Sequence, residues 1–439
     1  MLVVLVVACA AAPIHVADVP EHPAERSTDT ERHYAIWLGG AQIGTAHETE
    51  QWSRTGVVVR RIEAMRFLRG DVLVTLATTI EIAADRQLAP SQVTWTEAAQ
   101  TVRHGEAVRD ATGWTVTDDT GVRRLPGDAI PAELVPLVVR RDGQFSGRVF
   151  LPARGFVTGA GRIDPVAPNR LIARLVLDTS RPDGPAGDAV AAFAGADATI
   201  DLGRDAMPAR VVDGEGVIAT RITAAQARRP FEPVDLIAAT AIPLAGPPPG
   251  AAPNDSGRRL VLEGDVAIPP VPGQAVRADR EPIAPASARV IEIELSPRLP
   301  GALPPGSTGP DRTRAIAALV AGVRARIVPD LGAHPASARA AAAAATGDCT
   351  TFALAYAALA AARAIPTLIV TGFRIDGDRL IRHRWAVSWT GRAWIAVDAA
   401  FGAAPAGGDL VGLAIHGADD AGLVAGERAL THVRAASLK

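Results

Sequence analysis

One cysteine at the head of an alanine-rich run constrains this chain more than any other feature. Gly347-Asp348-Cys349-Thr350-Thr351 opens the run, which continues from Phe352 to Ala362 and is stopped by Pro366. Asp348 is a good N-cap residue, so a helix is expected with Cys349 in its first turn. A thiolate there faces the positive end of the helix dipole and orphan backbone N–H groups, both of which lower a cysteine pKa. The stretch from Phe352 to Leu359 is apolar almost all round, so this helix should be central and buried. Taken alone, a cysteine in an apolar helix is more commonly a structural thiol.

The segment that follows changes that reading. Thr367–Ile375 reads as a β-branched strand ending in the turn Asp376-Gly377-Asp378. Arg382–Trp389 and Arg392–Ala400 follow as two more strands, joined by Thr390-Gly391. A two-residue turn at Thr390-Gly391 pairs Trp389 with Arg392 and therefore sets His383 directly opposite Asp398. Directly opposed side chains have Cβ atoms about 4.5–5.5 Å apart, within reach of a His–carboxylate hydrogen bond. Trp385, Val387 and Trp394 fall on the same face and would shield the pair from water. Cys349, His383 and Asp398 are the residue types that a thiolate nucleophile, its base and an orienting carboxylate require. Arg382 and Arg384 flank His383 and read as exposed strand arginines, the alternative being receptors for a substrate carboxylate.

Composition bounds the rest. At 439 residues, 48% hydrophobic, the chain should hold two or three domains. Its formal net charge is −2 with no block of five like charges, so no nucleic-acid partner is expected. Lys439 is the only lysine, so the chain offers almost no amine of its own as an acyl acceptor. Cys9 and Cys349 are the only cysteines, which excludes a disulfide framework. The apolar run Met1–Ala8 is far short of a membrane-spanning helix and reads as the core of a secretory signal. Val6-Val7-Ala8-Cys9 also resembles a bacterial lipobox, which would lipidate Cys9 and tether the protein to a membrane. An exported protein of the periplasm or cell envelope is the expectation. His334 and His416 lack a metal-ligand pattern, and neither Gly39-Gly40 nor Gly159-Ala160-Gly161 has phosphate-loop spacing, so no metal or cofactor is expected.

The pattern assigns residues 1–12 to the signal and 13–30 to a tether. Residues 31–240 form a β-rich domain, with strands at Tyr34–Leu38, Gln42–Trp52, Val57–Phe67, Val72–Ile82, Val93–Thr96, Ala107–Val116, Gly147–Leu151, Arg170–Asp178 and Arg210–Ile222. Residues 241–309 read as a proline-rich linker interrupted by strand-like pieces at Arg259–Val266 and Arg289–Leu295. Residues 310–439 form the second domain, with helices at Asp311–Ile327 and at Ala338–Ala345, the latter capped by Ser337.

GDCTTFALAYAALAAARAIP, then HRWAVSW, then WIAVDAAFG, resembles the transglutaminase-like superfamily with its papain-like core. The resemblance runs from about Pro310 to Gly417. It implies an α+β C-terminal domain with the cysteine on a central helix packed on an antiparallel sheet, preceded here by the antiparallel β-rich domain. It also implies Cys349 as nucleophile, His383 as general base and acid, and Asp398 as the orienter of His383. The implied activity is thiol-dependent acyl transfer or hydrolysis on peptide or carboxamide substrates; the alternative is a non-catalytic scaffold or binding module of the same fold. Two positions depart from the family pattern. Ala399 stands where a proline commonly follows the aspartate. No tryptophan lies between Trp114 and Cys349, where animal transglutaminases carry an oxyanion donor.

Overall fold

The computed structural model describes residues 30–99, 102–119, 121–152, 156–176, 196–213, 216–246, 257–280, 289–333 and 338–438. The signal, the Cys9 lipidation site, the tether up to residue 29, His334 and the Ser337 cap lie outside the described residues. What is described divides into two compact units, one ending at Ala239 and one beginning at Thr240.

The first unit is a sheet of fifteen strands in two meanders. Strands β1 (Thr30–Leu38), β2 (Ala41–Trp52), β3 (Gly56–Arg69), β4 (Val72–Asp85), β5 (Pro90–Ala98), β6 (Val102–Asp110), β7 (Gly113–Asp118) and β8 (Gly121–Leu125) pair in succession. The second meander runs through β9 (Ala129–Pro131), β10 (Phe145–Leu151), β11 (Phe156–Ala167), β12 (Arg170–Val176), β13 (Ala196–Leu202), β14 (Pro208–Val212) and β15 (Ile218–Ile222), and β15 closes onto β1. The β1–β2 hairpin turns on Gly39 and Gly40, both at positive φ, as a two-residue turn matched to strand twist demands.

Two expected strands are each split in two. Ala107–Val116 breaks where Asp110 Oδ1 accepts the N–H and hydroxyl of Thr112, which makes a hairpin of β6 and β7. Arg210–Ile222 breaks where Asp213 Oδ1 accepts the Val217 N–H. Both corrections have one cause, since an aspartate side chain that bonds nearby backbone replaces a ladder bond with a turn.

The second unit contains a nine-stranded sheet. Its strands are β16 (Ile242–Ala245), β17 (Arg258–Gly264), β18 (Gln274–Arg280), β19 (Arg289–Leu295), β22 (Thr367–Asp376), β23 (Arg379–Trp389), β24 (Trp394–Val397), β25 (Leu410–His416) and β26 (Val433–Leu438). The two-residue strands β20 (Val328–Pro329) and β21 (Thr346–Gly347) pair separately. Beside α1 (Val135–Asp142) of the first unit, the helices that matter are α2 (Thr313–Arg326), α3 (Ala338–Ala343), α4 (Cys349–Ala361) and α5 (Asp420–Leu430).

Consecutive sheet residues enter different cores, as strand alternation requires. Ile369, Ala386 and Val397 pack with Ile316, Leu319 and Val323 of α2 and with Phe352, Leu354 and Tyr356 of α4. Their neighbours Leu368, Val370, Trp385, Val387 and Ala396 join Trp389, Trp394, Val271 and Leu303 in a second core. The sheet is thus covered on both faces, by helices on one and by residues of the 266–310 segment on the other.

That arrangement corrects the reading of residues 241–309 as a linker. Strands β16 to β19 lie in the same sheet as β22 and β23. The Gln274 amide bonds both the N–H and the C=O of Gly412, and the indoles of Trp389 and Trp394 donate to the carbonyls of Ser307 and Pro304. Around Pro304 and Ser307 the described backbone runs over this tryptophan surface in irregular conformation, which needs few N–H donors and so tolerates proline. A fragment beginning at Pro310 would lose this cover and four strands. It should fail to unfold cooperatively in urea, whereas one beginning at Thr240 should show a single transition.

Candidate active site

Asp348 caps α4 with an extended backbone, its Oδ1 accepting the N–H groups of Thr350 at 3.0 Å and Thr351 at 3.3 Å. Cys349 is therefore the first helical residue, and its own N–H has no partner among the described residues, as expected at an N-terminus whose cap serves the next positions. Gly347 lets the chain enter this turn. A Cβ there would sit 2.1 Å from Thr351 Oγ1 and 2.3 Å from Thr351 Cβ, so no larger residue fits without moving the helix start.

The hairpin carrying His383 and Asp398 departs from its expected register. Trp389 pairs with Trp394, not with Arg392, because Thr390 to Ala393 form a four-residue loop. Thr390 closes that loop, its hydroxyl accepting the N–H groups of Arg392 and Ala393. The expected opposition of His383 and Asp398 is thus displaced by two residues, and Asp398 falls across from Trp385 by extension of the ladder. A slip of one residue would have turned the carboxylate to the other face; a slip of two preserves the face. The side chains meet diagonally, with His383 Nε2 2.8 Å from Asp398 Oδ2.

Asp398 is held as firmly as it holds. Its Oδ1 accepts the N–H groups of Ala400 at 3.1 Å and Phe401 at 3.3 Å. Arg374 lies 3.8 Å from Oδ2 and pairs with Asp409 at 3.0 Å. The His383 ring stacks on Trp385 at 6.0 Å and meets the edge of Phe401 at 5.5 Å, while the Arg374 guanidinium covers Phe401 from 3.3 Å. Phe401 itself is 52% exposed, which puts an aromatic wall at the mouth of the site.

With Nε2 committed to Asp398, Nδ1 of His383 is the nitrogen left for the Cys349 thiol, and the two side chains hydrogen-bond. Cys349 is half-buried whereas His383 and Asp398 are fully buried, so the sulfur is the reachable member. Burial and the Asp348 carboxylate push the thiol up. The hydrogen bond and positive charge of His383, with the Arg384 guanidinium, outweigh them, and the thiol sits below its ordinary value. Burial pulls His383 down, but its bonds to Asp398 and Cys349 and their negative charges carry it up to about 10. The two shifts run in opposite directions, so the pair favours a thiolate beside an imidazolium, and its titration steps belong to the pair.

Neither reading of Arg384 made from the sequence survives. The side chain is buried, and it faces neither solvent nor an open substrate site. Its Nη1 donates to Thr350 Oγ1 beside Cys349, its Nε to Thr371 Oγ1 on β22, and its Nη2 to Glu427 Oε1 on α5, at 2.9, 2.9 and 2.8 Å. Arg382, half-buried, reaches the other Glu427 oxygen at 3.3 Å. The network ends at His416, whose Nε2 takes the Thr371 hydroxyl and whose Nδ1 donates to Gly417 O. Burial and the Arg384 charge hold His416 down at about 3, so it stays neutral and fits this direction of donation. The sequence reading assigned Thr350, Thr371, His416 and Glu427 no part in such a network, because their partners are remote in the chain. No local signal marks them.

Residues 305–399 match the family model described as the transglutaminase-like superfamily. The second unit therefore carries a transglutaminase-like domain at the C-terminal end of a mostly β chain. A search of curated proteins found no match. Among solved structures, a β-barrel-like protein of a domain of unknown function from Brucella abortus is similar over 45% of this chain and 97% of its own, at 10% identity and a TM-score of 0.28. That likeness is too low to transfer fold or function.

Two measurements follow from this geometry. Replacing Arg384 with Met leaves the half-buried Glu427 carboxylate with Arg382 alone as its cationic partner, and should cost about 1.5–3 kcal/mol in urea unfolding. Much of that loss should return in Arg384→Met/Glu427→Gln. Alkylation of Cys349 by iodoacetamide should reach its plateau at lower pH than an ordinary thiol. In His383→Ala the lowering influence of His383 is gone while burial and Asp348 remain. The plateau should then move to higher pH, checked by rate against pH.

Proposed function

We propose that the transglutaminase-like domain performs thiol-dependent acyl transfer or hydrolysis on peptide or carboxamide substrates, with Cys349, His383 and Asp398 as its catalytic residues. The observation that carries this reading is the buried 2.8 Å bond from His383 Nε2 to Asp398 Oδ2, made by an imidazole whose other nitrogen serves a half-buried thiol. A structural cysteine has no use for a base held in that way.

The Cys349 thiolate attacks the carbonyl carbon, and the carbonyl π electrons move onto oxygen. The Cys349 N–H at the helix start serves as donor for that oxyanion in this reading, in a chain with no upstream tryptophan near the cysteine to supply one. His383 passes its Nδ1 proton to the nitrogen as the C–N bond breaks, and the amine or ammonia leaves. The thioester is then resolved by water or by an amine, whose proton returns to Nδ1. Asp398 keeps its charge throughout, fixing the ring and stabilising the imidazolium. Water makes the protein a protease or amidase, and an amine makes it a cross-linker. Phe401 and Arg374 at the mouth favour a substrate with an apolar or acidic group beside the reacting amide.

The test incubates the purified protein with peptide mixtures and primary amines and follows ammonia release and peptide cleavage by mass spectrometry. Turnover should vanish in Cys349→Ala and fall about 10²–10⁴-fold in His383→Ala. No turnover by the wild type, with equal slow labelling of wild type and His383→Ala by a thiol probe, would leave the non-catalytic scaffold as the reading.

A further inference from the structure

The first unit holds a second convergence of ligating side chains, unrelated to the thiol site. β1 alternates from Glu31 to Tyr34. Arg32, Tyr34 and Ile36 are buried on one face, so Glu31 and His33 stand on the other. The β1–β2 ladder pairs His33 directly with His47, which puts both imidazoles and Glu31 on that same face. The two rings stack with centroids 4.6 Å apart and planes within 8°. Glu31 Oε1 lies 3.1 Å from His33 Nε2 and 2.8 Å from His47 Nε2. One ligand atom from each residue falls within 4.8 Å of the other two.

This is a poor hydrogen-bonding arrangement. Both Nε2 atoms are shielded from solvent, and neither has a hydrogen-bond partner among the described residues. Since both are close enough to Oε1, their in-plane axes must point elsewhere than at that oxygen. A tetrahedral ion bound through two imidazole nitrogens and a carboxylate oxygen would give both shielded Nε2 atoms the partner they lack. Legs of about 2.0–2.1 Å set ligand atoms about 3.3 Å apart and aim each nitrogen at the centre of the triangle, away from the neighbouring ligand. The observed separations to Oε1 need a few tenths of an ångström of adjustment, and because the stacked rings send their in-plane lone pairs along near-parallel planes, one ring must also turn about its Cβ–Cγ bond to bring both nitrogens onto one ion.

We propose that Glu31, His33 and His47 bind a divalent transition-metal ion of the zinc class. Two imidazoles with one carboxylate select against magnesium and calcium, which take oxygen ligands. Both histidines sit within paired strands, so the site is built on rigid backbone. The Glu31 side chain is 60% exposed, so the fourth position opens to solvent and takes water or an atom of a bound molecule. The sequence spacing hid the site, because its two histidines are neighbours only across the Gly39-Gly40 hairpin.

The test uses the full-length protein carrying Cys349→Ala, so that the thiol takes up no metal. After chelator treatment, Zn²⁺ is titrated by calorimetry and Co²⁺ by its visible d–d spectrum. One saturable equivalent and a low-symmetry Co²⁺ spectrum are expected. Both should disappear in His47→Ala and in Glu31→Ala, and circular dichroism checks that each variant is folded. His104→Ala, an exposed imidazole on β6, should bind as the parent does. Absence of saturable uptake by the folded protein, or equal uptake in His47→Ala, would overturn the proposal.

Discussion

A buried imidazole that carries charge is costly, and the second unit is organised around meeting that cost. His383 has lost its water to Trp385 and Phe401. It is stable as a cation only because Asp398 sits 2.8 Å away on one side and the Cys349 sulfur on the other. Asp398 in turn has its second carboxylate oxygen satisfied by the N–H groups of Ala400 and Phe401. Each charge is thus answered by a fixed dipole or an opposite charge, and the sulfur receives the benefit as a lowered pKa.

The same logic explains the tie behind the site. Thr350 follows Cys349 in the chain, and Arg384 follows His383. Arg384 joins them and passes the connection to Glu427 on α5. Strand alternation turns Arg384 away from the face that His383 uses, so one arginine locks helix to strand without entering the reacting space. Its positive charge also adds to the forces that favour the thiolate. Mechanical registration of the site and its electrostatics thereby come from one side chain.

How much of this was legible varies with the range over which each signal acts. The start of the cysteine helix could be read from Asp348 alone, since capping works within three residues. The His383–Asp398 contact could be anticipated for a partly mistaken reason. Its expected register was two residues off, yet the side-chain period of two kept both groups on one face. The Thr390 hydroxyl, by gathering the loop's N–H groups, favoured a four-residue loop over the tighter turn that Thr390-Gly391 suggested. The proline-rich segment misled because composition reports backbone irregularity and not burial. Irregular backbone lying over Trp389 and Trp394 has the same composition as a solvated linker.

By itself the sequence determined the cap, the apolar helix, the alternating strands and the residue types that could form a thiol site. All of these rest on interactions within a few residues or on a strict local period. Only the tertiary structure decided that Arg384 is buried, that β16 to β19 complete the sheet, and that His33 and His47 face one another over Glu31. Those outcomes depend on partners supplied across hairpins or by distant segments. An arginine, a proline or a histidine takes its role from the groups that the fold brings to it.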